Sequence, residues 1–401
     1  MKRQEQLNAQ RRRQRRPGSQ LAQAISHRVF LIALAVAILT AGTVSTHASG
    51  RPEVEGADGA VDTAADTRTI VDGLGREVVV PADPRRIVTA GRGVMMTANV
   101  LWAFEDISER VIGVGRISQG RGNFLFKIDP DYGENIVLER NVGPEQIASL
   151  APDLVILKSG VRSGLGQPLE RLGLPVLYVD LENPEQYQRD LAVIGGALGD
   201  TARATELQNY FRSTASRITN VTANLNDDER PSVLLIYYRS SGGEVSFDVP
   251  PAGWMQTQLV DMAGGVPVWR SVHTGSGWTT IGFEQIAAWD PEVIILVEYG
   301  GEAPHIRKRL ERQPRWQELQ AVQNGQFYAM PMDHYSWDQP DVRWLLGLQW
   351  MAVTLHPDQF ADVNLDTRMR EFFAELYRID DAIYEKLIVP TVAGDFPGGT
   401  P

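Results

Sequence analysis

The chain has 401 residues, 43% of them hydrophobic, and a formal charge of −11, an ordinary globular composition with room for two domains that excludes a wholly disordered or fibrous protein. It contains no cysteine, which excludes disulfides, thiolate metal sites, a cysteine nucleophile and a lipid-modified cysteine.

The N-terminus reads as a targeting segment. Residues 1–28 hold Lys2, Arg3, Arg11, Arg12, Arg13, Arg15, Arg16 and Arg28 against Glu5, followed by "VFLIALAVAILTAGTV" and small residues around "THAS". A basic stretch, an apolar stretch and a small-x-small site predict a signal peptide over 1–48, cleaved after Ala48. The apolar residues 29–48 are also nearly long enough for a retained membrane anchor. Either way the bulk is expected outside the cytoplasm. Without residues 1–48 the chain keeps 31 basic and 49 acidic residues, a net of −18. Such a surface repels phosphate, so nucleic acid is excluded as a partner.

Residues 49–67 are small and acidic and read as a flexible linker. "TRTIVDGLGREVVVP" then alternates around a glycine-containing turn, the signal of a hairpin. Apolar runs at 86–91, 110–116, 153–157 and 175–181, with helical stretches between them, predict a parallel sheet covered on both faces, hence an N-terminal α/β lobe over 68–182. Asn183-Pro184 is a cap followed by Pro at the first helical position. A second helix starts at Thr201, with Leu207, Tyr210, Phe211, Thr214, Ile218, Val221 and Leu225 on one face. About 24 residues of helix span about 36 Å, so 183–228 reads as a stiff inter-lobe connection. Strand-like runs at 232–239, 292–300 and 326–332 mark a C-terminal α/β lobe over 229–388. The tail 389–401 has no pattern and is expected to be disordered.

One phrase occurs twice. "GPEQIASLAPDLVIL" (143–157) returns as "GFEQIAAWDPEVIIL" (282–296), with eight of fifteen residues identical. Each copy has a glutamate in the first helical turn, Glu145 and Glu284, then an apolar pair, Pro and a strand. An acid at a helix N-terminus is favoured by the helix dipole by about 0.3–1 kcal/mol, which accounts for an acid at each place. Matched acids on two lobes also suit a pseudo-two-fold partner with basic sockets, and the residues alone leave both readings open.

These stretches, with "TIVDGLGREVVVPADPRRIVTAG" and "SWDQPDVRWLLGLQWMAVTLHPDQF", resemble in order and over roughly 68–360 the class III periplasmic substrate-binding proteins of ABC importers, which handle iron-siderophores, heme and cobalamin. The resemblance implies two α/β lobes with central, mostly parallel sheets joined by a single long inter-lobe helix. It also implies a surface glutamate on each lobe, here Glu145 and Glu284, docking to the permease of a permease–ATPase membrane complex.

In α/β lobes, ligands meet the loops at the carboxyl ends of the strands. In the first lobe those loops offer Arg92, Arg116, Arg121, Lys158 and Arg162; in the second, Arg239, Ser240, Ser241, Trp254, Trp278, Tyr299 and the run His334-Tyr335-Ser336-Trp337. Arginine forks hold carboxylate or phenolate oxygens and aromatic rings cover flat apolar surface. This set suits an anionic, partly apolar metal chelate, an iron-siderophore first, with cobalamin, heme or an oxyanion such as molybdate as alternatives. Iron would travel as cargo inside the chelate, with no cofactor of the protein's own and no second chain required. "GVGRISQGRG" lacks the spacing of a dinucleotide fingerprint, and no histidine pair has zinc-site spacing. His334 and Tyr335 are metal-ligand types, yet a polar pair at a strand tip is the commoner reading. A secreted hydrolase using Asp333, Asp338, Ser336 or His334 lacks the G-x-S-x-G elbow, so no catalytic residue is assigned.

Overall fold

The computed structural model describes residues 66–399 apart from 134–135, 273–276 and 398. The targeting segment 1–48 and residues 49–65 of the linker lie outside the described residues.

Thr67–Val71 (β1) and Glu77–Pro81 (β2) form an antiparallel hairpin. Asp72 fixes its turn by accepting the amides of Leu74 and Arg76, both at 3.0 Å. The first lobe follows: Ile87–Thr89 (β3), Val94–Leu101 (α1), Val111–Gly115 (β4), Ile136–Leu138 (β5), Pro144–Ser149 (α2), Leu154–Lys158 (β6) and Val176–Val179 (β7). Its five strands are all parallel, in the order β5-β4-β3-β6-β7. All five positions of β6 are buried. Leu154 and Ile156 face one apolar core, Val155 and Leu157 another, as expected for a strand covered on both faces.

The connection is helical. Pro184–Leu198 (α3) starts where Asn183 Oδ1 accepts the Gln186 amide at 2.9 Å and ends at Gly199, whose φ of 81° suits a residue without Cβ. Thr201–Thr222 (α4), capped by Asp200 on the Arg203 amide at 3.0 Å, is 22 residues long, about 33 Å at 1.5 Å per residue. It buries Leu207, Phe211, Thr214 and Ile218.

The second lobe contains Ser232–Ser241 (β8), Glu244–Val249 (β9), Met255–Met262 (α5), Val266–Pro267 (β10), Thr279–Ile281 (β11), Phe283–Trp289 (α6), Val293–Val297 (β12), Ala303–Glu311 (α7), Phe327–Ala329 (β13), Trp344–Leu355 (α8) and Leu365–Tyr377 (α9). β8, β12 and β13 are parallel, and the antiparallel strands β9 and β11 extend the sheet beyond β8. The fold is therefore two α/β lobes joined by a long helix, and the described residues fall within one compact unit. A single apolar core runs from Ile156 through Phe211 to Ile236.

The repeat is three-dimensional. β6 and β12 occupy matched positions of the two phrases, and each pairs in parallel with its lobe's first strand, Leu154 on Ile87 and Val293 on Val233. The helix leading into each ends in a left-handed turn at Ala151 (φ 48°) and Asp290 (φ 37°), which occupy the same place in the phrase. Two non-glycine residues in this costly region at equivalent sites mark a shared backbone path.

Two findings depart from the sequence reading. The tail does not hang loose: Ala393 and Met332 exchange amide bonds of 2.9 and 2.8 Å, and the Trp350 indole donates to the Asp395 carbonyl at 2.7 Å. Its partners lie some 40 to 60 residues upstream, out of reach of any local pattern. The end of helix α9 also returns to the first lobe, where Tyr377 donates to the Asn99 carbonyl at 3.1 Å and Arg378 pairs with Glu105 at 2.8 Å.

Candidate functional site

In the first lobe the strand order reverses between β3 and β6, the crevice where open α/β sheets take ligands. The loop after β3, "AGRG" (90–93), makes its turn with two left-handed glycines, Gly91 (φ 86°) and Gly93 (φ 81°). A Cβ on Gly93 would lie 2.7 Å from the Lys158 side chain, so only glycine lets this loop close over the end of β6. The loop carries Arg92, which is exposed. Arg162 follows β6 in the turn Arg162–Gly166, and its Nε is buried without a hydrogen-bond partner. Of the five first-lobe cations in the sequence reading, only Arg92 and Arg162 form neither an ion pair nor a side-chain hydrogen bond with a described residue.

The others are committed. Arg116 pairs on the surface with Glu139 at 3.0 Å, a contact worth at most about 1 kcal/mol. Arg121 donates to the carbonyls of Gly301 at 3.0 Å and Thr391 at 3.2 Å, strapping a first-lobe loop to the second lobe. Lys158 is buried against Glu182 and lies 3.2 Å from Met96 Sδ. Burial lowers its ammonium pKa while the Glu182 charge opposes that shift. It is a compensated interior charge, and its expected role as an open cation is corrected accordingly.

In the second lobe the structure collects a chain of rings where β12 ends beside the middle of β8. Tyr299 lies 4.7 Å from Tyr237, Tyr237 lies 5.1 Å from Trp278, and Trp278 meets Trp254 edge-on at 5.7 Å between centroids. All four are partly buried, with ring surface both packed and open. Arg239 sits at the rim, 6.0 Å from the Tyr237 ring centroid, and is bound to the buried Asp248. The Thr280 hydroxyl also donates to Asp248, at 2.5 Å. Arg239 thus neutralises a buried carboxylate, while Ser240, on the same strand edge, is exposed. Trp254, Trp278 and Tyr299 are readable from their loops. Tyr237 is not: it sits inside an apolar strand run, paired with Val297 on one side and Asp248 on the other, and only its contacts with Trp278 and Tyr299 place it in the ring group.

His334, Tyr335 and Trp337 are not at an open surface. They are 1%, 0% and 0% exposed, and that part of the expectation is corrected. Their loop surrounds Arg343, itself fully buried and paired with Asp333 at 2.6 Å and Asp341 at 3.0 Å. Phe124 and Tyr335 pack over its guanidinium at 4.6 and 4.9 Å. The first lobe closes on this loop through the Arg121 amide to the His334 carbonyl at 2.9 Å and the Phe124 amide to the Tyr335 hydroxyl at 3.1 Å. A buried arginine needs acids and ring faces around it, and those needs take the side chains away from the cleft. Burial pushes the His334 imidazole below its ordinary pKa, with Asp333 opposing and Arg343 and Lys127 adding to the shift. Ser336 donates to Asp338 at 2.5 Å, so it is not arranged as a nucleophile on His334. Among the described residues no three His, Asp or Glu side chains are grouped to hold a metal ion, and no helix is long and apolar enough to cross a membrane.

Glu145 and Glu284 are exposed at the second position of α2 and α6. The isoleucine two residues after each, Ile147 and Ile286, is fully buried. Each helix is thus pinned by its apolar side with its carboxylate outward.

The periplasmic binding protein family matches this chain over residues 129–334, just over half of its length. The molybdate-binding protein MolA of Haemophilus influenzae is 21% identical over 299 residues, 68% of this chain and 81% of MolA. The Fe(3+) dicitrate-binding periplasmic protein FecB of Escherichia coli is 27% identical over 197 residues, 48% of this chain and 60% of FecB. A periplasmic solute-binding protein from Veillonella parvula shares the fold, with a TM-score of 0.64 and 23% identity over 80% of this chain and 97% of its own. By its matched family, its paired lobes and its duplicated helix-to-strand unit, the chain belongs to the periplasmic binding proteins, the substrate-binding components of ABC transporters.

Proposed function

We propose that this protein captures a ferric chelate with an anionic, partly apolar organic shell, the iron-siderophore class, and delivers it to a membrane permease through Glu145 and Glu284. The observation that carries the reading is chemical complementarity. One lobe offers two guanidiniums without an acidic partner, Arg92 and Arg162, at its switch point; the other offers four partly buried rings where β12 ends beside the middle of β8. Guanidinium forks suit catecholate or carboxylate oxygens, and rings suit a flat organic shell. FecB, whose cargo is an iron chelate by name, supports this choice. The basic and apolar N-terminal segment supports export to the periplasm, with cleavage or with residues 29–48 kept as an anchor.

MolA gives a second reading, in which the cargo is molybdate. A naked oxyanion is bound by converging N–H donors, and the two arginines would supply them while the rings stood idle. Titration of the protein starting at Ser49 decides between the two, read by the fluorescence of its nine tryptophans. Ferric dicitrate or ferric tris-catecholate should quench to saturation, with cobalamin, hemin and molybdate inert. Saturation by molybdate alone would overturn the chelate reading.

A further inference from the structure

The second lobe holds a buried carboxylate that transport chemistry does not explain. Asp338 is 0% exposed, and no Lys, Arg or His among the described residues pairs with it. Burying an unpaired carboxylate is expensive unless donors satisfy it. Three side chains do: the Ser336 hydroxyl at 2.5 Å on one oxygen, and on the other the Tyr299 hydroxyl at 2.9 Å and the Gln256 amide at 3.2 Å.

Two of these donors stand at opposite ends of the ring chain. Tyr299 is its first member, on the loop leaving β12. Gln256 lies in the first turn of α5, two residues after Trp254, its last member. The contacts close a circuit from Asp338 to Tyr299, Tyr237, Trp278 and Trp254, and back through Gln256. Aromatic pairs contribute only about 0.5–1.5 kcal/mol each beyond their burial, too little to hold four rings from four segments in one arrangement.

We propose that Asp338 is a positioning residue, whose carboxylate ties Tyr299 to the helix behind Trp254 and so fixes the four rings as one preformed cup for the cargo's organic shell. This rests on the reading above that the rings receive cargo, and adds how they are held ready. It also limits what Tyr299 can do. Its hydroxyl donates a hydrogen bond to Asp338 and keeps its proton, since burial beside that carboxylate raises its pKa well above the ordinary value. Tyr299 therefore offers cargo its ring, its hydroxyl being held by Asp338.

The test uses the protein starting at Ser49 with 5-fluorotryptophan incorporated, with Trp254 and Trp278 assigned in the ¹⁹F spectrum by Trp254→Phe and Trp278→Phe. Asp338→Asn turns one acceptor oxygen into an NH₂ facing other donors; it should shift or broaden those two resonances while the remaining tryptophans stay in place. Binding of ferric tris-catecholate should weaken about tenfold, within the range of couplings between contacting residues. Tyr299→Phe keeps the ring and removes the donor, so it should move the same two resonances, and the double variant should be no worse than the weaker single. If Asp338→Asn does not fold, Tyr299→Phe alone carries the test through its spectrum. Unmoved Trp254 and Trp278 resonances would overturn the proposal, as would a shift of all tryptophans together. Should Trp254→Ala and Trp278→Ala bind every ferric chelate normally, the cup reading falls. Should they weaken binding while Asp338→Asn changes neither spectrum nor affinity, only the positioning role falls.

Discussion

Asp153 and Glu292 hold the two lobes' central strands in the same way. The Asp153 carboxylate accepts the amides of Arg85 and Arg86 at 2.7 and 2.9 Å, and the Glu292 carboxylate accepts the amide and hydroxyl of Ser232 at 2.7 and 2.9 Å. Each acid stands just before β6 or β12 and ties that strand to the start of its lobe's first strand, β3 or β8. The duplication therefore extends to hydrogen bonds, and Glu145 and Glu284 are equivalent points on equivalent frames. Neither acid is needed to hold its frame.

From this follows a separation of roles. Glu145→Lys with Glu284→Lys leaves cargo affinity within about twofold, because exposed substitutions away from a ligand perturb little. Uptake in cells falls at least about tenfold, since like charges facing each other across an interface cost several kcal/mol. The measurement pairs a fluorescence titration with transport of labelled chelate. Loss of cargo binding in the double variant contradicts the division.

The ring cluster gives a second expectation. Trp278→Ala removes the ring that touches both Tyr237 and Trp254, and aromatic truncation at a recognition centre costs about 2 kcal/mol, roughly 30-fold in Kd. Trp337→Ala is the contrast: it leaves a cavity in the core costing about 3–5 kcal/mol of stability. Calorimetric melting and titration of both variants check the assignment of one ring to cargo and the other to packing.

Arginine placement is tested by salt. Arg92→Ala weakens binding of an anionic chelate about tenfold and flattens its salt dependence, because an exposed cation acts through a screened field. Arg116→Ala, which loses only a surface pair with Glu139, stays within about twofold. Titrations at two ionic strengths separate these outcomes.

Acid sensitivity is assigned to His334. Its folded-state pKa is depressed by burial, so its contribution is present above the unfolded value, about 6.5, and is lost as pH falls toward the folded one. Across that window the loss reaches about 1.4 kcal/mol per pH unit. His334→Phe should remove that part of the slope of melting temperature against pH. An unchanged slope contradicts the assignment.

The tail makes the last expectation. Truncation after Ile388 removes the Ala393–Met332 pair and the bonds of Asp395 to Ala329 and Trp350. At about 1 kcal/mol each, loss of these five bonds costs the folded state about 5 kcal/mol. Denaturant unfolding of full-length and truncated protein measures it.

What the sequence determined by itself was local and periodic. The buried runs of β3, β6, β8 and β12, the cap at Asn183, and the repeat with its two glutamates follow from rules that act within one turn or one strand. Tertiary structure decided which polar groups are spent. Nothing local marks Lys158 as taken by Glu182, or Arg121 by two carbonyls of the other lobe. Likewise the rings beside His334 are drawn around Arg343, and Asp338 is placed between Tyr299 and Gln256. Most of those pairings join residues tens to hundreds of positions apart, because a buried charge must find its partner wherever folding brings one within about 3 Å.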